Sequence, residues 1–428
     1  MTATAIKSIF GRRVWDSRGR PTVEAEVHLA GGARGRAIAP AGASTGSAEA
    51  VDLRDGGSAF GGYGVATAVS HVNGPIATAL SGLDGADQED IDRTLIDLDG
   101  TPNRSRLGGN ALVAVSMATL HAAAAASHQP LWRYLGGQGA VMLPLPEVQI
   151  FGGGAHAGAR VDIQDFMVVA PGAGSFDQAL EWTAEIYRVA GKLMAETGRL
   201  QGVADEGGFW PAFASNEEAL ETLVRAIEQA GFVPGEHVAI ALDIAASEFG
   251  TKGRYRLALE NREMDSDGMA DMLIGWLDRF PIVSIEDPMA EDDEAGMIRF
   301  SRAVGHRVQI VGDDFVVTNA ARIKDAAAKG ACNCALIKPN QAGTVSEAKA
   351  AMAAARNAGW GAIGSARSGE TEDVTIVHLA VGWGVAQLKV GSFARSERMA
   401  KWNEGLRIEE AMGSTARFAG WRPYRGES

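Results

Sequence analysis

IVSIEDP (282–288), VQIVGDD (308–314) and ALIKPNQ (335–341) follow one another along the chain, each an apolar run closing on polar residues. Short apolar runs bounded by turn residues read as buried strands. The pattern already occurs in VAIALDIA (238–245) and returns in WGAIGSARSG (360–369) and VAQLKVG (385–391). Helical stretches such as VSEAKAAMAAARNAG (345–359) lie between them. Such alternation predicts parallel strands joined by crossover helices. Six strands, with room for two more before residue 238, predict a closed α/β barrel.

The polar strand ends are Asp243, Glu286, Asp313, Lys338, Arg367 and Lys389. In a β/α barrel the carboxyl ends of the strands face the active site. One polar strand end is an ordinary loop residue. Three acids and three cations converging on one mouth are costly to assemble without a function. Asp243, Glu286 and Asp313 at close range would repel one another, and a hard divalent cation removes the conflict. Oxygen-only ligation suits Mg²⁺. The sequence offers zinc neither a His-x-x-x-His pair nor a cysteine cluster.

Lys338 and Lys389 are expected two strands apart on one rim. A lysine beside a metal and another cation is expected to have a lowered pKa and to serve as a general base. Metal plus lysine suits proton abstraction from the carbon next to a carboxylate. Arg367 and Ser368 offer a fork of donors beside a hydroxyl, suited to a phosphoryl group. Glu206 lies in the Gly-rich ADEGGF (204–209), and Asp165 ends another apolar run in DIQDFM (162–167). Either acid could protonate or position a leaving hydroxyl, or be a solvated loop acid. His156 lies in FGGGAHAG (151–158), which lacks the strand–turn–helix context of a dinucleotide fingerprint. It reads equally as a hydrogen-bonded structural residue.

Upstream, TVEAEVHL (22–29) alternates as a half-buried strand, and LGGNALVAVSMATLHAAAAASH (107–128) reads as a long helix. PLWRYLGG (130–137) reads as a turn before the Pro-rich PLPEV (144–148). The expected division is an α+β domain over 1–138 and a barrel over 139–428. The 428 residues, 46% hydrophobic and 22% charged, suffice for two such units. A net charge of −13 argues against nucleic acid and anionic lipid as partners. An acidic protein holding an acidic substrate then needs local cations. The N-terminal MTATAIKSIFGRRVWDSRG has no apolar stretch of signal-peptide length, and no run is expected to span a bilayer. Cys332 and Cys334 read as small buried residues of a cytoplasmic protein.

From about residue 5 to 412 the chain resembles the enolase family. The resemblance rests on DSRGRPTVE (16–24), GASTG (42–46), LGGNALVAVSMA (107–118), DEGGF (205–209) and ALDIAASEF (241–249). It continues through SIEDP (284–288), IVGDD (310–314), IKPNQAGTVSEA (337–348), RSGETED (367–373) and RSERMAKWN (395–403), all in order. It implies an enolase-type β/α barrel with an atypical start, a smaller N-terminal α+β domain, a homodimer or higher homo-oligomer, and two Mg²⁺ per active site. The implied reaction is dehydration of 2-phosphoglycerate to phosphoenolpyruvate. By the same resemblance Asp243, Glu286 and Asp313 match the tight metal site, and Ser44 matches a ligand of the second Mg²⁺. Lys338 matches the base at C2, Lys389 the partner of the substrate carboxylate, and Glu206 the acid that helps hydroxide leave. Arg367 and Ser368 match phosphoryl ligands, and His156 the loop histidine that closes over the site.

The sequence departs from the family at Ala366, where the motif has histidine, and at Asp165, where it has glutamate. Ala41 and Ala155 replace serines, Gly152 an asparagine and Pro339 a valine. Most of these changes shorten or remove a polar side chain, which leads to an expectation of an enlarged pocket and a bulkier, phosphonylated hydroxy acid. The resemblance then points to paralogues of phosphonate antibiotic biosynthesis that form carboxyphosphonoenolpyruvate. The alternatives are an ordinary enolase and a non-catalytic, enolase-like binding protein.

Overall fold

The computed structural model describes residues 2–137 and 141–425. The division expected between 138 and 139 falls at residues outside that set. The chain opens with an antiparallel sheet of β1 (Ile6–Trp15), β2 (Pro21–Leu29) and β3 (Arg34–Ile38). The helix Gly109–Ala126 lies across β2 and β3. A Cβ added at Gly35 would stand 2.0 Å from the Ala118 carbonyl oxygen, so glycine there sets how closely sheet and helix approach. β2 is buried along most of its length instead of alternating: Val23, Ala25 and Val27 pack in the core on the helix side, and on the opposite face Glu24 is covered by ion pairs with Arg12 and Arg36. Contrary to expectation, Gly109–Ala126 is long and apolar enough to cross a membrane, but 83% of it is buried, as the core helix of this domain. Leu131–Gly136 forms a short helix where a turn was expected, with Leu131 and Trp132 turned into the core.

The barrel contains β4 (Leu145–Gly152), β5 (Asp165–Val169) and β6 (Ala239–Asp243). A small antiparallel sheet, β7 (Gly250–Thr251), β8 (Arg254–Leu257) and β9 (Arg262–Asp265), projects after β6. β10 (Ile282–Glu286), β11 (Gln309–Gly312), β12 (Cys334–Ile337), β13 (Gly361–Ser365) and β14 (Gln387–Lys389) complete the barrel. It closes in the order β10-β11-β12-β13-β14-β4-β5-β6. The expectation of wholly parallel strands fails at β5, which runs antiparallel to both β4 and β6. The connection from β4 to β5 over 153–164 holds one helical turn and no crossover helix, and two helices, Phe176–Glu196 and Asn216–Gln229, then precede β6. From β6 onward strand and helix alternate, several helices starting from side-chain caps such as Asp265, Asp293, Asn319 and Thr344.

Candidate active site

Asp243, Glu286 and Lys389 are the last residues of β6, β10 and β14, while Asp313 and Lys338 directly follow β11 and β12. All five are buried at the same barrel mouth. β5 runs the other way, so its first residue joins them: Asp165 pairs in register with Asp243. Asp165 therefore opens a strand instead of ending one, as the sequence had suggested.

The lysines fasten the acids. Lys389 Nζ lies 2.7 Å from Asp243, 2.8 Å from Glu286 and 3.4 Å from Asp165. Lys338 Nζ donates to Asp313 Oδ2 at 2.5 Å. Burial pulls the Lys338 pKa down, but Asp313 outweighs it and holds the ammonium above its usual value. This is opposite to the lowered value expected, because the nearest charge is a carboxylate, not a second cation.

The three expected metal acids are spread along this ion-pair chain and do not form one tight ring of oxygens. Closer groups are Asp287 with Asp313 and Asp314, and His156 with Asp165 and Glu206, each within 4.8 Å. Asp287, at φ 39, accepts from the Asp313 and Asp314 backbone N–H groups and so sets the turn that aims Asp313. Burial, then Asp313, push the Asp287 carboxyl up to about 8.

The donor set nonetheless fits a hard cation. Glu286 Oε1 is buried without a hydrogen-bond partner, beside Asp243. Burial and then the Asp243 charge drive the Glu286 carboxyl well above the usual range. An orphaned carboxylate oxygen among acids is what Mg²⁺ would satisfy, with Asp243, Glu286 and Asp313 as ligands.

Opposite them stands His156, in a single helical turn at 154–157. Its Nδ1 is 3.1 Å from Asp165 Oδ1, its Nε2 3.1 Å from Ser368 Oγ and 3.6 Å from Glu206 Oε1. Burial opposes its charge, but Glu206 and Asp165 outweigh that and raise it to about 9, so both ring nitrogens carry protons at neutral pH. Gln149 holds the other side, donating to Asp165 and accepting from the Gly208 N–H at 2.8 Å. A Cβ at Gly152 would meet Gln149 Oε1 at 3.0 Å and Ala204 Cβ at 2.8 Å. The expected enlargement at Gly152 is therefore absent, since neighbouring side chains take up the space. Ala41 is buried, in a two-way backbone pair with Gly369.

Arg367 and Ser368 follow β13, and Ser44 comes from the N-terminal domain. The Ser44 carbonyl accepts from Arg367 Nη2 at 3.0 Å, which places Ser44 beside Arg367. Ala366 is buried, its N–H donating to the Lys389 carbonyl at 2.9 Å. Two residues given no role from sequence hold this loop from behind. Arg398 donates to the Arg367 carbonyl at 2.6 Å and to that of Ser368, and Lys401 donates to the Thr371 carbonyl at 2.6 Å. Their positions in RSERMAKWN were visible, but their direction was not. Gln164 and Gln341, which donate to Asp243 at 3.0 Å and to Asp313 at 2.8 Å, also escaped notice, because an amide has no distinctive spacing.

A β/α barrel with an acid–lysine array at its mouth, beside a separate α+β domain, is the architecture of a barrel enzyme with acidic groups able to hold a metal. The family models described as Enolase, N-terminal domain and Enolase, C-terminal TIM barrel domain match residues 6–135 and 140–425. The chain belongs to the enolase family. That membership supports an enolase-type lyase and implies a small phosphorylated acid as substrate; the family is typically Mg²⁺-dependent, and the acidic groups here could hold a metal.

Proposed function

We propose that this protein eliminates water from a 2-phosphoglycerate-like acid, with Lys338 taking the proton at C2. The observation that carries the reading is the Lys338–Asp313 pair at 2.5 Å, set beside Lys389 with Asp243 and Glu286 in a buried mouth. Bound through Asp243, Glu286 and Asp313, Mg²⁺ would supply the positive charge that offsets Asp313 and receives charge developing on the substrate carboxylate. Lys389 faces that carboxylate. Glu206 and the cationic His156 stand where a leaving hydroxyl needs a proton, with Asp165 fixing the His156 ring. Arg367 and Ser368 receive the phosphorus group, and Ser44 stands ready for a second Mg²⁺.

In this proposal the substrate is a phosphorus-modified analogue and the product carboxyphosphonoenolpyruvate. Its support is narrower than the sequence suggested, because Gly152 opens no space. It rests on Ala366, a methyl group where the motif has an imidazole, and on the shorter Asp165. A homodimer working in the cytoplasm belongs to the same proposal. The deciding experiment is a side-by-side turnover assay on 2-phosphoglycerate and its carboxyphosphono analogue. Preference for the analogue is expected; efficient turnover of 2-phosphoglycerate alone would leave an ordinary enolase.

A further inference from the structure

Glu49 has no part in the reaction as described, yet it is buried at the junction of the two domains. Its Oε2 accepts from Arg367 Nη1 at 2.9 Å and its Oε1 from Nη2 at 3.1 Å. With the Ser44 carbonyl at 3.0 Å, three bonds from the N-terminal domain engage the Arg367 fork. An arginine has five N–H donors; with both on Nη2 and one on Nη1 taken, the Nε–H and one Nη1–H remain, on opposite edges of the guanidinium, so one of them is left to face an anion. The loop wraps the guanidinium closely: a Cβ at Gly42 would lie 2.0 Å from Arg367 Nη2. Glu49 Oε1 also accepts from the Gly46 N–H at 3.0 Å, tying down the turn that carries Ser44. It accepts from Gln341 Nε2 at 3.2 Å, and the same amide nitrogen donates to Asp313 Oδ1 at 2.8 Å. One carboxylate of the N-terminal domain thus contacts the fork of Arg367, the Ser44 turn and the amide that holds Asp313.

We infer that Glu49 is a positioning residue, fixing the plane of the Arg367 guanidinium so that one free N–H edge faces the substrate's phosphorus group, and locking the Ser44 loop in the same act. This rests on Arg367 being the ligand of that group. A bidentate carboxylate suits the task, since it fixes the plane of a guanidinium as a single acceptor cannot. An ion pair this well buried has little freedom to reorient, so the direction of the remaining donors is set before the anion arrives.

The test is calorimetric binding of inorganic phosphate to the Mg²⁺-loaded protein, with Glu49→Gln, Glu49→Asp, Arg367→Gln and the Glu49→Gln/Arg367→Gln double variant. Glu49→Gln is expected to weaken phosphate binding about tenfold, with Glu49→Asp between it and the wild type. In the Arg367→Gln background the Glu49 substitution is expected to have no further effect, which general damage to the fold would not reproduce. Tighter phosphate binding in Glu49→Gln would overturn the inference, because Glu49 would then be competing with the anion. So would additive losses in the double variant. If Arg367→Gln itself leaves phosphate binding unchanged, the assignment of Arg367 fails, and this inference with it. Glu49→Asp, which keeps the charge, provides the reading if Glu49→Gln does not fold.

Discussion

At the scale of single residues the proposal turns on Lys338, Ala366 and His156. Lys338→Ala removes the candidate base while leaving Asp313 in place. It is expected to abolish exchange of the C2 hydrogen with solvent and to lower turnover about 10²–10⁴-fold. Exchange persisting in that variant would remove Lys338 from the role. Ala366→His restores a ring next to Lys389, and Asp165→Glu lengthens the acid that faces His156. The first is expected to move the kcat/KM ratio toward 2-phosphoglycerate by about tenfold, and the second to add to it, though not independently, since both line one pocket. An unchanged ratio in both variants would separate these positions from specificity. His156 carries the pH prediction. Its pKa rises on folding from 6.5 to about 9, so the folded state binds its proton more tightly. That contribution to stability is fully present below about pH 6.5 and is lost as pH rises through about 9. The Tm of the metal-free protein is expected to fall over that range, and less so in His156→Gln. Parallel Tm curves for the two proteins would contradict it.

At the scale of elements, the N-terminal domain depends on one close approach. A Cβ at Gly35 would lie 2.0 Å from the Ala118 carbonyl oxygen and 2.2 Å from the Ala122 nitrogen. These are backbone atoms of a buried helix and cannot move aside as a side-chain end could. Gly35→Ala is therefore expected to destabilise the protein by about 1–3 kcal/mol or more, measured by urea denaturation. A variant as stable as the wild type would show that sheet and helix can slide apart. β5 shows the limit of reading elements one at a time. DFMVV is apolar in either direction, and the run does not say which way its strand points. The antiparallel pairing with both β4 and β6 decided that, and with it the arrival of Asp165 at the mouth.

For the molecule as a whole, the buried acids outnumber the lysines that hold them, which ties metal binding to stability. Saturating Mg²⁺ is expected to raise the Tm, by an amount equivalent to about 2.7 kcal/mol at a hundredfold excess over Kd. Asp313→Asn is expected to weaken Mg²⁺ binding strongly and to lose most of that rise. Calorimetry showing equal affinity in the variant would exclude Asp313 as a ligand. The two domains are also joined at the site. Ile38 N–H donates to Asp373 at 2.8 Å, Ala41 pairs with Gly369, Glu49 holds Arg367, and Arg104 pairs with Glu347.

By itself, the sequence determined the barrel and the identity of its mouth. Apolar runs ending in Asp243, Glu286, Asp313, Lys338, Arg367 and Lys389 are a local pattern, and strand polarity carries such ends to one rim. It also determined the enolase family, because many short motifs recur in order. Tertiary structure alone decided which charge neutralises which. Whether Lys389 meets Asp243 or Asp313, and whether Lys338 is held up or down, depends on distances of a few ångströms between residues far apart in the chain. It likewise decided that Gly152 opens no pocket, because the volume left by a missing side chain belongs to whichever neighbour fills it, here Gln149. Glu49 was invisible for the same reason: one acid in a loop acquires meaning only when the fold sets Arg367 against it.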